Sequence, residues 1–152
     1  MKSLSHPRDK AEVMARLGAL GPDSQRRWGR MTAHQMVCHL VDAFLMDTDR
    51  KPVSHASGFR ERTIMKWVAL YGPFQWPAGI PTRPEVDQEI GGTKPTAFAA
   101  DLASLEALVE VVTREPGFFA GRRHPIFGAL SEAAWMRWAY LHMDHHLRQF
   151  GV

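Results

Sequence analysis

Cysteine is nearly absent. Cys38 is the single one in 152 residues, which excludes an intrachain disulfide framework and fits a reducing compartment. No uninterrupted apolar run approaches the roughly 20 residues that a membrane-spanning helix needs. The opening MKSLSHPRDKAEV has no apolar stretch of the signal-peptide kind, so a secretory leader is not expected and the expected compartment is the cytoplasm. An excess of one charge is missing too. A net charge of +3 is mild, and the basic residues come in short knots (Arg26, Arg27 and Arg30; Arg122 and Arg123) rather than along a stripe interleaved with aromatics. Nucleic-acid binding needs a more extended basic face, so neither nucleic acid nor membrane is an expected partner.

What remains is the makeup of an ordinary globular domain, 45% hydrophobic and 23% charged. At this length one domain is the simplest division, with 1–152 folding as a unit around a single core.

Four segments carry helical periodicity. The first, residues 7–17, opens with a proline suited to a first turn and places Val13 and Leu17 one turn apart. The second runs from Thr32 to about Asp47, and Thr32-x-x-Gln35 is a capping-box pattern. The third, residues 96–114, spaces Phe98, Leu102, Leu105, Val109 and Val112 into one apolar stripe. The fourth follows Ser131, a good N-cap, and continues to Phe150.

Segment 49–95 is of a different kind. Of the chain's 12 glycines and 10 prolines, eleven lie there. An extra helix is expected over residues 59–71, where Ile64, Val68 and Tyr71 share a face. The stretch GPFQWPAGIPTRPEVDQEIGGTKP cannot be a regular helix or a central strand, because proline fixes φ and removes donors. It is too apolar for a disordered linker and should pack as an ordered loop. The whole reads as all-α: a four-helix bundle with a long crossover between helices two and three.

The fourth segment ends in LHMDHHLRQF, which puts three histidines within five positions. At about 100° per residue, Trp135, Ala139, His142 and His146 share the buried face, with His142 and His146 one turn apart. His145 turns to the edge of that face near Trp138, and Gln149 lies one turn past it. In the second segment His39 falls at the margin of the apolar face of Ala33, Met36, Val37, Leu40 and Phe44, while Cys38 and Asp42 point away. Inward histidines are either core residues satisfied by hydrogen bonds or ligands of a shared cation, and three together offer three neutral nitrogens. Gln35, Gln149, His145 and His124 are candidates to orient those rings. Cys38 is rejected as a nucleophile, because neighbouring helix positions point about 100° apart. Arg60, Arg62 and Lys66 read first as a solvated basic face, and second as a grip for carboxylates. Trp67, Phe74 and Trp76 read first as packing and second as pocket wall; Trp28 and Gly29 read as packing and turn.

Four stretches together resemble a bacterial family of the DinB-like superfamily: Trp28 to Leu40 (WGRMTAHQMVCHL), Phe74 to Thr82 (FQWPAGIPT), His124 to Gly128 (HPIFG) and the terminal H-x2-H-H-x2-Q. The resemblance implies a DinB-like four-helix bundle. It also implies a divalent metal, commonly zinc or nickel, held by His39, His142 and His146. It further implies a metal-dependent enzyme, a thiol-dependent transferase or an isomerase, acting on a small-molecule substrate with a low-molecular-weight thiol as the partner; three neutral imidazoles with an open coordination position would also allow metal-assisted hydrolysis. A non-catalytic metal- or ligand-binding bundle is the alternative, and a homodimer through the outer face is compatible with either. The 49–95 segment is larger than a minimal crossover needs.

Overall fold

The computed structural model describes residues 1–46, 48, 50–54 and 58–152. Among them the fold is mostly helical: α1 (Pro7–Gly18), α2 (Ala33–Leu45), α3 (Lys66–Tyr71), α4 (Phe98–Arg114) and α5 (Glu132–Gln149). Asp47, the expected end of the second helix, lies outside the described residues. None of the described helices is long and apolar enough to cross a membrane.

The helix starts follow from local chemistry. Thr32 accepts the Gln35 backbone N–H at 3.1 Å and Gln35 Oε1 accepts the Thr32 N–H at 2.9 Å, which closes the expected capping box of α2. Ser131 caps α5 through the Ala134 N–H. Proline opens α1. The expected helix over 59–71 forms in two parts, a wide π-type turn over Glu61–Met65 that runs into α3. Its Ile64, Val68 and Tyr71 are all exposed rather than packed in the core, with Val68 at the rim of a cavity; Leu70 is the residue that packs inside.

Helix α2 packs against both α4 and α5, and α1 and α3 pack against α5. The shared interior holds Met36, Leu40 and Phe44 from α2, Leu105, Val109 and Val112 from α4, and Trp135, Met143 and Leu147 from α5. Each such burial stabilises by roughly 1.5–3 kcal/mol. Arg16 on α1 donates to Asp144 at 2.7 Å and to the Val152 carbonyl at 2.9 Å, which fixes α1 against the end of α5.

Two features were not anticipated. Residues Arg123–His124 (β1) and Gly128–Ala129 (β2) pair as a two-residue antiparallel hairpin just before α5, so His124 sits on a strand rather than in a plain loop. The crossover is also pinned by Asp42. Although this residue turns away from the apolar face of α2, it is only 2% exposed because the crossover covers it. Its carboxylate accepts the Thr93 N–H (2.8 Å), the Thr93 hydroxyl (2.7 Å) and the Gln88 amide (3.0 Å), with Lys51 Nζ at 3.1 Å. Those bonds hold a 3-10 turn, Pro84–Val86, against α2. Replacing Asp42 by alanine strands these donors and Lys51, so urea unfolding should show a loss of about 3 kcal/mol.

Candidate metal centre

His142 and His146 project from successive turns of α5, and His39 meets them from α2. His39 Nε2 and His146 Nε2 each lie 3.2 Å from His142 Nε2. All three donor atoms fall within 4.8 Å of one another. The rings meet edge to face, with centroids 4.7–5.1 Å apart.

The other edge of two of these rings is spoken for, which decides where their protons sit. His39 Nδ1 donates to the Val86 carbonyl at 2.7 Å. Gln149 donates its amide to the Trp28 carbonyl at 2.9 Å, so its oxygen faces His146 and accepts from Nδ1 at 3.1 Å. In a neutral imidazole with the proton on Nδ1, Nε2 presents a lone pair. Burial holds the rings neutral. It pushes His39 downward against the opposing pull of the Val86 carbonyl, Asp42 and Asp87. It drives His142 and His146 well below the ordinary histidine range, helped by the neighbouring imidazoles.

Two lone pairs therefore converge on His142, which has one proton to give. If that proton is on Nε2 it can satisfy one neighbour and leaves the other without a donor; if it is on Nδ1, both 3.2 Å contacts are lone pair against lone pair. A cation at the common point satisfies all three nitrogens at once. Tetrahedral zinc with Zn–N of about 2.0–2.1 Å sets ligand nitrogens roughly 3.3 Å apart, close to the 3.2 Å of the two pairs that include His142, while the third pair lies within 4.8 Å. The residues present fit a divalent metal of zinc or nickel type.

The triad opens onto a cavity of about 410 Å³. Phe74 and Trp76 line it, along with Trp138, Val86 and the hairpin residues His124 to Phe127. Trp138 stands 4.9 Å from the His142 ring, and Trp76 bridges His142 and His145 at 6.1 and 6.0 Å.

The candidate orienting residues separate. Gln149 holds His146, as a ring-orienting residue should. Gln35 does not reach a histidine: its side-chain oxygen is engaged at Thr32, because the capping box is satisfied locally first. His145 is buried at the margin of the site between Trp28 and Trp76, and its Nδ1 has no partner among the described residues. Burial pushes its pKa down, as does Arg148, while a backbone hydrogen bond to Trp76 opposes them. His124 lines the cavity. Arg60, Arg62, Lys66 and Trp67 are not part of the described cavity wall; Trp67 leans on Tyr71 at 4.8 Å and is exposed. Cys38 is buried, and its thiol is pushed up to about 12 by burial first and Asp101 second. With His34 it forms a second close group on Asp101. That carboxylate is taken up by His34 at 2.7 Å and by Thr96, so the group joins α2 to the start of α4.

Sequence reading missed the Val86 and Trp28 carbonyls, since backbone acceptors carry no residue signature. Gly29 was a partial signal. At φ +75° it occupies the left-handed region, and a Cβ there would lie 2.6 Å from Gln149 Nε2. Gly29→Ala both strains the backbone and displaces the group that orients His146. Urea denaturation should register a loss of about 1–2 kcal/mol, together with shifted His146 ring resonances in the NMR spectrum.

No curated protein and no solved structure matches the chain. A family model spans residues 2–151, from α1 through the crossover to α5, and the chain therefore belongs to the family described as Protein of unknown function (DUF1569).

Proposed function

We infer that this chain is a metal-dependent enzyme whose reactive centre is the His39–His142–His146 triad, with zinc or nickel as the cation. The observation that carries the reading is the convergence of two proton-free Nε2 atoms on a third at 3.2 Å, an arrangement that wastes buried acceptors unless a cation joins them. The packing of α2 on α4 and α5, and of α1 on α5, supports reading the fold as a four-helix bundle of DinB-like type.

Three histidine ligands leave a coordination position open, which is the pattern of catalytic rather than structural sites. Bound there, the cation would supply Lewis acidity that lowers the pKa of a water or a small thiol toward neutrality. The chain's own residues do the rest. The Val86 carbonyl and Gln149 aim the His39 and His146 rings. Trp76, Trp138 and Phe74 wall the approach with apolar surface, limiting water around the reacting group. The reaction class this supports is attack by an activated water or thiol on a substrate held in the cavity.

Purified protein should carry about one divalent ion per chain by elemental analysis. A metal-free chain that stays metal-free when zinc or nickel is added overturns the reading.

A further inference from the structure

Charge is what the wall of the cavity lacks. Among the described residues that line it, Arg83 is, histidines apart, the one side chain that carries a charge. Its guanidinium meets the Ser54 hydroxyl and lies 3.9 Å from Glu85, so the pair is close to neutral where it stands. Trp76 spends its only polar side-chain atom inside the protein, donating Nε1–H to the Ala69 carbonyl at 2.8 Å. His124 is likewise turned to its own hairpin. Its Nδ1 accepts the Ile126 and Phe127 N–H groups, each at 3.1 Å, and its Nε2 is enclosed. A carboxylate drawn into this space away from the triad gives up water and meets no free cation. Burying an unpaired charge is costly.

Apolar surface is what the wall offers instead. Trp138 and Trp76 both line the cavity, 4.9 and 6.1 Å from the His142 ring. Ala43, Val53 and Phe127 continue the same surface. At the rim, Met65, Val68, Phe74 and Ile80 line the cavity while remaining 46–71% exposed, so the way in is apolar too. Large apolar side chains gathered around one opening are a mark of ligand-binding grooves. The volume of about 410 Å³ lies within the ordinary range for small-molecule sites.

We propose that the substrate of this site is a small, uncharged and predominantly apolar molecule, entering past Val68 and Phe74 and lying against Trp76 and Trp138, and that molecules presenting a carboxylate to this wall are rejected. The proposal rests on the metal reading for calling that molecule a substrate. Its seating in the cavity depends on the wall alone.

The test compares 2-acetylnaphthalene with 2-naphthoate, which has nearly the same shape and carries a negative charge. Binding to the full metal-free chain at pH 7.5 is followed by NMR of the indole N–H groups, so that no cation can hold the anion. The ketone should move the Trp76 and Trp138 signals along a saturable curve, and should bind at least about tenfold tighter than the anion. Ala69 is partly buried and lines the cavity, so Ala69→Trp fills part of the space. In a variant shown to be folded by circular dichroism, ketone affinity should fall about tenfold. Equal affinities for the two probes in the wild-type chain overturn the proposal whatever becomes of the variant. So do shifts confined to Trp67, which is exposed and outside the described wall, or ketone binding undiminished in folded Ala69→Trp. Zinc uptake is measured separately on the same chain. No uptake with the ketone preference intact sinks the metal reading alone, and uptake without the preference sinks this one alone.

Discussion

A chain carrying His142→Ala should retain less than about a tenth of an equivalent of zinc after desalting, where the unaltered chain retains about one. His142 is the ring both others face, at 3.2 Å to each Nε2, so its removal leaves two imidazoles and no third nitrogen between them. The variant should fold. His142 is half-buried at the cavity rather than in the centre of the core. Circular dichroism therefore separates loss of metal from loss of structure. His145→Ala, one turn-edge away and aimed between Trp28 and Trp76, should keep its metal. Gln149→Ala should fall between, with zinc affinity about 10–100-fold weaker, since the ring it orients remains but is no longer held. If His142→Ala and the wild-type chain bind zinc alike, the triad is not the site.

The metal-free chain should be acid-labile well above the pH at which most domains of this size unfold. His124 shows the sign. Its folded pKa is lowered to about 3, against about 6.5 unfolded. Above pH 6.5 the ring is neutral in both states and contributes no pH dependence. Between 6.5 and 3 the unfolded chain takes up a proton that the folded chain refuses, so unfolding gains up to about 1.4 kcal/mol per pH unit. His39, His142 and His146 are shifted in the same direction by burial and add to the slope. The losses act together against a typical margin of roughly 5–15 kcal/mol. Urea midpoints measured from pH 7.5 to 4.5 should drop steeply below pH 6.5, and His124→Asn should flatten the drop by one proton's worth. A flat profile down to pH 5 contradicts the buried, neutral histidines. Added zinc should hold the plateau to lower pH until proton competition releases it.

The three histidines of the triad were legible because helices impose a period. His142 and His146 are four apart on a segment whose other apolar residues, Trp135 and Ala139, mark the same face, and the facing margin of α2 singled out His39. Gln149 was legible for the same reason, three residues beyond His146 on one helix. Gln35 was read both as a cap for Thr32, three residues before it, and as an orienting group for His39, four residues after it; the cap forms from local atoms alone and takes the side-chain oxygen. That Ile64 and Val68 would be exposed was not legible, because a shared face has no direction until something is placed opposite it.

By itself, then, the sequence determined that the chain is helical, where α2 and α5 begin, and which side chains on each share a stripe, since all of these depend on residues within a turn or two of each other. Only the tertiary structure decided where the protons sit. The Val86 and Trp28 carbonyls and the turn N–H groups of Ile126 and Phe127 are backbone atoms, identical in every residue, and nothing but the folded path of the crossover and the hairpin brings them to His39, Gln149 and His124.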